Sequence, residues 1–341
     1  MRPATPEEIA GWDKLVAANP DGGNVLQSKA FAETKALHGW EPLYFMLGEV
    51  AVLVLSREVP LLGEIWYICK GPGVTVKEGL EYLSKQLPYP PPFMVKIEPE
   101  IAKGQIGPAE LNAFGFEKVR DIQYNVSTVI VSLEPSEDEI ISGFKQKTRY
   151  NVRLAAKKGV SVEPAGVTEE SIDQMYALMQ ATVDRAGVYL RDRQYFADFW
   201  RLHSEAGSGQ MFFAKYEGQI LAGAFITYLG EKALYKDGGS VREHSDVQAP
   251  YLLQWEIMKW LKAKGIKEYD LHGTPPAEDI ENSEHPLAGL ARFKTGFNAE
   301  VTEFIGTYDL PVHKRRYQIW AKFGQRLAMA YAHRVKKRLF Y

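Results

Sequence analysis

Hydrophobic and polar positions along the chain run through one pattern twice. In the first round, Thr5, Pro6 and Glu8 have the spacing of a capped helix start, with proline at the first helical position. A second short helix follows Ser28 and ends near Gly39. Three dense apolar runs, Leu43–Leu47, Val50–Ser56 and Glu64–Cys69, predict strands. A helix fits Lys77–Gln86; the prolines of Pro88–Pro92 end it and lead into an extended stretch through Val95 and Ile97. In the second round, Ser136 and Glu139 form a capping box for a helix with Ile140, Phe144 and Thr148 on one side. Ile172, Met175, Tyr176, Met179 and Val183 keep a helical period that Gly187 closes, and Arg193–His203 predicts a shorter helix. Strands follow at Met211–Tyr216, Gln219–Tyr228 and Ala233–Gly238, then the strongest helix, Pro250–Lys264, closed by Gly265, then a strand at Glu268–Leu271.

The order helix, helix, three strands, helix, strand thus recurs, with one further helix in the second round, the mark of an internally duplicated α/β unit. It matches an acetyltransferase-like (GNAT-like) fold in each half. The expected architecture is α/β (α+β): two tandem GNAT-like domains plus a basic C-terminal helix. Residues 1–135 form the first domain, completed by a helix at 307–341, and residues 136–306 form the second. From Lys314 to Tyr341 there is no Asp or Glu, and the segment predicts one long helix.

Composition narrows the class. Hydrophobic residues make up 45% and charged residues 25% of 341 positions, and the net charge is only −2, so no global field demands nucleic acid or membrane. The single cysteine, Cys69, excludes an intrachain disulfide and fits a reducing compartment. The N-terminus lacks an apolar signal region, and aliphatic runs such as Ala51–Leu55 are too short to span a bilayer. A cytoplasmic protein, at or near the inner face of the membrane, is expected.

Local charge is more informative. In Gly143–Val160, Lys145, Arg149, Arg153 and Lys157 recur every four residues, one basic stripe on a helix with no acid between them. The bland alternative is a solvated face; the functional one is a track for RNA phosphates.

At this segment the sequence becomes specific. KTRYNVRLAAKKGV resembles the "K-x-R-Y-N-I-R-x-A-x-K-x-G-V" signature of the FemABX aminoacyltransferases. Leu26–Pro42 (LQSKAFAETKALHGWEP), Tyr67–Gly73 (YICKGPG), Ala249–Gly273 and Leu290–Leu310 resemble further segments of that family in the same order. Phe31 stands where the family has Trp, Cys69-Lys70 replaces Pro-Arg, and Asn298 stands for Gly. No charged helical arm is inserted, so the chain resembles the compact, FemX-like type.

The resemblance implies transfer of an amino acid from aminoacyl-tRNA to the stem-peptide amine of a peptidoglycan precursor, UDP-MurNAc-pentapeptide or lipid II, without a cofactor. It implies Lys294 at the acyl-transfer centre, on a segment whose alternation predicts a strand with Phe293 packed and Lys294 pointing away. It implies that Lys35, Arg191 and Tyr195 bind the precursor's diphosphate and that Tyr235 lines its site. Glu98 falls near an acidic family position. The basic stripe becomes the tRNA track, and the basic tail becomes a peripheral membrane contact. Away from the family, Lys294 reads as an exposed paired lysine, Arg191 as a helix-end surface residue and Tyr235 as a half-buried strand tyrosine.

The implied reaction, aminolysis of an activated ester, needs no nucleophilic residue, and the chain has no G-x-S-x-G elbow. His38, His203, His244, His272 and His285 are scattered without metal-ligand spacing, so no metal is expected. Two other readings stay open. An acyl-CoA-dependent N-acyltransferase would need a pyrophosphate loop, and the nearest match, Gln219-Ile-Leu-Ala-Gly-Ala, has Ala222 in place of its first glycine. A non-catalytic RNA- or membrane-binding protein would rest on the basic tail alone.

Overall fold

The structure is a computed structural model that describes residues 1–123, 126–186, 190–285, 287–334 and 339–341. It divides into two compact units. One comprises Met1–Val126 with Phe304–Tyr341, the other Ser127–Glu303.

The sheet of the first unit has the strand order Arg2–Pro3, Glu41–Leu47, Val50–Val59, Gly63–Ile68, Met94–Ile97, Tyr308–Pro311, Glu117–Lys118. Gly48, at φ 62°, opens the two-residue hairpin joining Leu47 to Val50, where a side chain would be strained. Neighbours are antiparallel except Gly63–Ile68 and Met94–Ile97, which run parallel. A parallel pair needs a crossover, and the Lys77–Lys85 helix supplies it. Its Leu80 and Leu83 share a core with Val52, Val54, Trp66, Ile68, Val95 and Ile97.

The second sheet repeats the design in the order Ile130–Ser132, Glu268–Asp270, Lys232–Ser240, Gln219–Leu229, Gly209–Tyr216, Ser161–Ala165. Its one parallel pair, Lys232–Ser240 with Glu268–Asp270, is bridged by the Ala249–Ala263 helix. That helix packs Leu253, Ile257, Met258 and Leu261 with Phe212, Ala224 and Ile226. The opposite face meets the Glu169–Ala186 helix so closely that a Cβ on Gly223 would come 2.8 Å from Met175 Sδ. In each sheet the strand beyond the parallel pair arrives from elsewhere in the chain. Tyr308–Pro311 pairs with Met94–Ile97, and Ile130–Ser132, N-terminal to the expected second domain, pairs with Glu268–Asp270.

The tail departs from one long helix. It runs as Lys314–Ile319, a π-turn at Trp320–Gly324, and Gln325–Arg334; residues 335–338 lie outside the described set. The wide turn falls where Trp320 is driven fully into the first unit's core, edge-on to Phe93. Gly324 makes room, since a Cβ there would come 2.8 Å from the Trp320 ring. A π-turn lodges one extra residue, which the helical period cannot announce.

Candidate functional site

In the second unit, the segment around Lys294 is a helix, Ala288–Lys294, and not the expected strand. Phe293 and Phe297, four apart, both pack against Tyr251 of the Ala249–Ala263 helix, which selects the helical period. Lys294 is only 5% exposed. Its Nζ donates to the Gly273 carbonyl at 2.7 Å and to the His272 carbonyl. Those carbonyls converge because His272 and Gly273 are consecutive left-handed residues, φ 57° and 62°. The turn is fixed from behind. Asp270 accepts from the His272 amide at 2.6 Å and from the Thr128 hydroxyl. Burial lowers the Lys294 pKa to about 8, with Asp270 pulling it partly back. An ammonium has three donors; two go to the carbonyls, and the third has no acceptor among the described residues. Beside the turn, the buried Thr274 hydroxyl also lacks a partner among the described residues. A cation held this way, with one donor in reserve, suits an oxygen that gains negative charge.

On the same unit, Asp192 caps the Arg193–Glu205 helix by accepting from the Tyr195 amide at 3.0 Å. The cap sets Arg191 and Tyr195 together, with the guanidinium 4.5 Å from the Tyr195 ring centroid. The Tyr176 hydroxyl donates to the Arg191 carbonyl at 3.2 Å. Gly187, expected to end the preceding helix, lies outside the described residues.

Tyr235 faces the other way. Across the ladder Ile226 pairs with Tyr235 and Phe225 with Asp237, so Lys236 is an extra, bulged residue. Asp237 meets Trp200 of the Arg193–Glu205 helix, its Oδ2 accepting from Nε1 at 2.9 Å, while Tyr235 packs on the core of the Ala249–Ala263 helix. Burial, with the Asp237 charge, raises the Tyr235 pKa.

In the first unit, Lys35 projects from the Lys29–Leu37 helix, which Ser28 caps by accepting from the Phe31 amide. It is 4% exposed and lies 5.3 Å from the Phe31 ring centroid. Glu98, just past the Met94–Ile97 strand, is fully engaged: it accepts from the Tyr67 hydroxyl, from Thr307 Oγ1 at 3.1 Å and from the Gln123 amide at 3.3 Å. Burial and the Glu98 charge push the Cys69 thiol up to about 12, which makes it a poor nucleophile. Lys70, not singled out from the sequence as a site residue, is buried in a left-handed conformation, φ 48°, 3.8 Å from Glu100.

The basic stripe divides by role. Arg149 donates to the Ser142 carbonyl at 2.9 Å and to the Phe144 carbonyl, so it closes the end of the Glu137–Gly143 helix. Lys145 reaches Thr295 Oγ1 at 3.3 Å, beside Lys294. Arg153 and Lys157 face solvent with Lys147 and with Tyr150, which is 61% exposed. The candidate CoA turn, Gln219 to Ala224, belongs to the Gln219–Leu229 strand. From Ala222 on it is paired on both sides, so its amides are not offered to a pyrophosphate.

No described helix is long and apolar enough to cross a membrane. Comparison with known proteins agrees with the motif resemblance. The lipid II:glycine glycyltransferase of Staphylococcus haemolyticus (strain JCSC1435) is 25% identical over an alignment 403 positions long with its gaps, covering 93% of this chain and 95% of its own. That of Staphylococcus aureus (strain MRSA252) is 26% identical over 405, with the same coverage. Among solved structures, FemX superposes with a TM-score of 0.78 at 24% identity, covering 91% of this chain and 98% of its own. L-PGS from Bacillus licheniformis does so with a TM-score of 0.52 at 16% identity, covering 96% and 98%. At these identities the structural likeness speaks for the fold. A profile of the FemAB family matches residues 109–208 and 201–323, well over half of the sequence, and the chain belongs to that family.

Proposed function

We propose that this chain is an aminoacyltransferase that moves an amino acid from aminoacyl-tRNA to the stem-peptide amine of a peptidoglycan precursor, UDP-MurNAc-pentapeptide or lipid II, and so builds an interpeptide bridge. The observation that carries the reading is the seat of Lys294, a buried ammonium fixed by two carbonyls with one donor left over. Relatives named lipid II:glycine glycyltransferases support the acceptor class.

The chemistry follows from the seat. The acceptor amine attacks the ester carbonyl and forms a tetrahedral intermediate. Lys294 donates its remaining N–H to the oxyanion, an interaction stronger in the transition state than in the ground state. The ribose oxygen then leaves, and the proton lost by the amine balances the one it gains. Nothing covalent is asked of the protein, which accords with a thiol held protonated at Cys69. Lys35 and the Arg191–Tyr195 pair are the candidate ligands of the precursor's diphosphate. Glu98 and Tyr235 act through the surfaces they support. Lys145, Arg153 and Lys157 meet tRNA, and the basic tail keeps the enzyme at the cytoplasmic face of the membrane. The test is transfer from a panel of charged tRNAs to both acceptors. Amide formation with one of them is expected. No transfer from any charged tRNA, together with CoA-dependent acylation, would replace this reading.

A further inference from the structure

The tail carries three parallel rows at four-residue spacing. Trp320, Gly324, Ala328 and Ala332 lie toward the body of the first unit, each of them buried or half-buried. One position back along the chain, Ile319, Phe323, Leu327 and Tyr331 are 54%, 50%, 67% and 55% exposed. One position further back the row runs Lys314, Gln318, Lys322, Arg326, Ala330 and Arg334; its four cations are exposed, and Lys322 and Arg326 sit at its centre. Positions four apart keep to one face of a helix, so a row of large apolar side chains faces outward with a row of cations along its edge. Isolated exposed apolar residues need no explanation, but an aligned row does.

We infer that this face is a docking surface for an anionic phospholipid bilayer, the helix lying in the interface with Phe323 and Leu327 inserted and Lys322 and Arg326 at the headgroups. Charge complementarity selects this occupant. No acid occurs between Lys314 and Tyr341 to balance the cations. A second copy of the chain packing on the same face would bring the two basic rows together. Phosphates of RNA would match the cations but leave the apolar row exposed. An interfacial helix uses both rows, its apolar side at the acyl boundary and its cations on anionic headgroups. The inference makes specific the membrane contact in the proposed function and rests on that part of it alone.

The experiment is co-sedimentation of the full chain, without substrates, with vesicles rich in phosphatidylglycerol and with vesicles of phosphatidylcholine alone. Binding is expected only to the anionic vesicles and should fall as salt is raised. Lys322→Gln with Arg326→Gln should weaken it by about fivefold per residue, the worth of one cation near an anionic surface. Phe323→Ser with Leu327→Ser should weaken it by about tenfold or more through reduced apolar burial. These positions are exposed, and unchanged thermal melts check that both variants fold. Transfer to the soluble UDP-linked acceptor should be unaffected in both, so failure of the enzymatic reading and failure of this inference register separately. Equal binding by the serine variant, indifference to phosphatidylglycerol, or a wild-type dimer that the serine variant dissolves would each overturn the inference.

Discussion

The ammonium of Lys294 donates to the Gly273 carbonyl at 2.7 Å, across 21 residues of sequence, and this hydrogen bond ties the candidate transfer centre to the end of a strand. Removing the charge while keeping the stem isolates its role. Lys294→Met is expected to lower kcat by about two to three orders of magnitude, as for loss of one oxyanion donor. Two buried carbonyls also lose their donor, so a stability loss of about 1–3 kcal/mol should accompany it. Lys294→Arg should not restore the rate, because a planar fork cannot sit where a point charge sat. Single-turnover transfer and thermal melts measure both effects. A folded methionine variant with near-normal kcat would remove Lys294 from the chemistry.

The pH dependence follows from the same burial. The Lys294 pKa is lowered to about 8, so its charged form is full below that value and is lost as pH rises through it. If the cation is what acts, kcat should fall above pH 8. Stability should move oppositely. Between about 8 and the ordinary lysine value of 10.5 the unfolded chain holds the proton and the folded one does not, so this group's contribution rises with pH across that window. Asp270 faces Lys294 electrostatically, His272 lends it a carbonyl, and Lys145 lies against the adjacent Thr295. A kcat profile flat from pH 7 to 10, in an enzyme that Lys294→Met inactivates, would separate the catalytic role from the titration.

Asp270 should act as a positioning residue. It holds the His272 amide and the Thr128 hydroxyl, and so sets the turn whose carbonyls seat Lys294. Asp270→Ala is expected to lower kcat about tenfold or more while leaving the acceptor KM near normal, because the loss falls on the transition state. Asp270→Asn keeps an acceptor oxygen for both partners and should recover most of the rate, with its high-pH limb shifted down. Thr128→Val offers a milder perturbation of the same carboxylate. Should the alanine variant turn over normally, the turn holds without Asp270.

What the sequence makes legible follows from which interactions are local. The central strands of both sheets announce themselves as apolar runs, whereas short strands such as Arg2–Pro3, Glu117–Lys118, Ile130–Ser132 and Ser161–Ala165 do not, and the capping boxes at Thr5–Glu8 and Ser136–Glu139 form as spaced. Arg191 and Tyr195 meet because Asp192 caps the helix on the Tyr195 amide and turns the residue before it back over the first helical turn. The alternation around Lys294 points to the wrong element because seven residues fit either period, and only the distant Tyr251 decides. Its burial is not legible, since both carbonyls come from a left-handed turn far back in the chain. Tyr235 and Asp237 face opposite sides of their sheet because one bulged residue, Lys236, interrupts the alternation between them. Single inserted residues leave no mark on composition or period.

Arg191 and Tyr195 give a prediction about binding. If they hold the diphosphate, Arg191→Ala should raise the acceptor KM by the equivalent of about 1.5–3 kcal/mol, with kcat little changed. Tyr195→Phe keeps the ring under the guanidinium and should cost less than Tyr195→Ala. Acceptor titrations at saturating charged tRNA measure this. A change confined to tRNA affinity would assign the pair to the other substrate.

The basic helix gives the sharpest division between structure and binding. Arg149 is committed to the Ser142 and Phe144 carbonyls, whereas Arg153 and Lys157 face solvent beside Lys147. Arg149→Gln should therefore lower the melting temperature, because carbonyls at a helix end lose their donor. Its effect on the salt dependence of tRNA binding should be small. Lys147→Gln, Arg153→Gln and Lys157→Gln together should leave melting unchanged. They should flatten the log–log salt slope by roughly 0.7 to 0.9 for each phosphate no longer neutralised. Tyr150, exposed between these cations, can stack on an unpaired base; Tyr150→Ala should weaken binding by about 1–3 kcal/mol without altering the slope, since stacking releases no counterions. Binding isotherms for charged tRNA at several salt concentrations test all three variants. An unchanged slope in the triple variant would return this face to ordinary solvated surface and move the search for the tRNA track to Lys145, which reaches Thr295 beside the transfer centre.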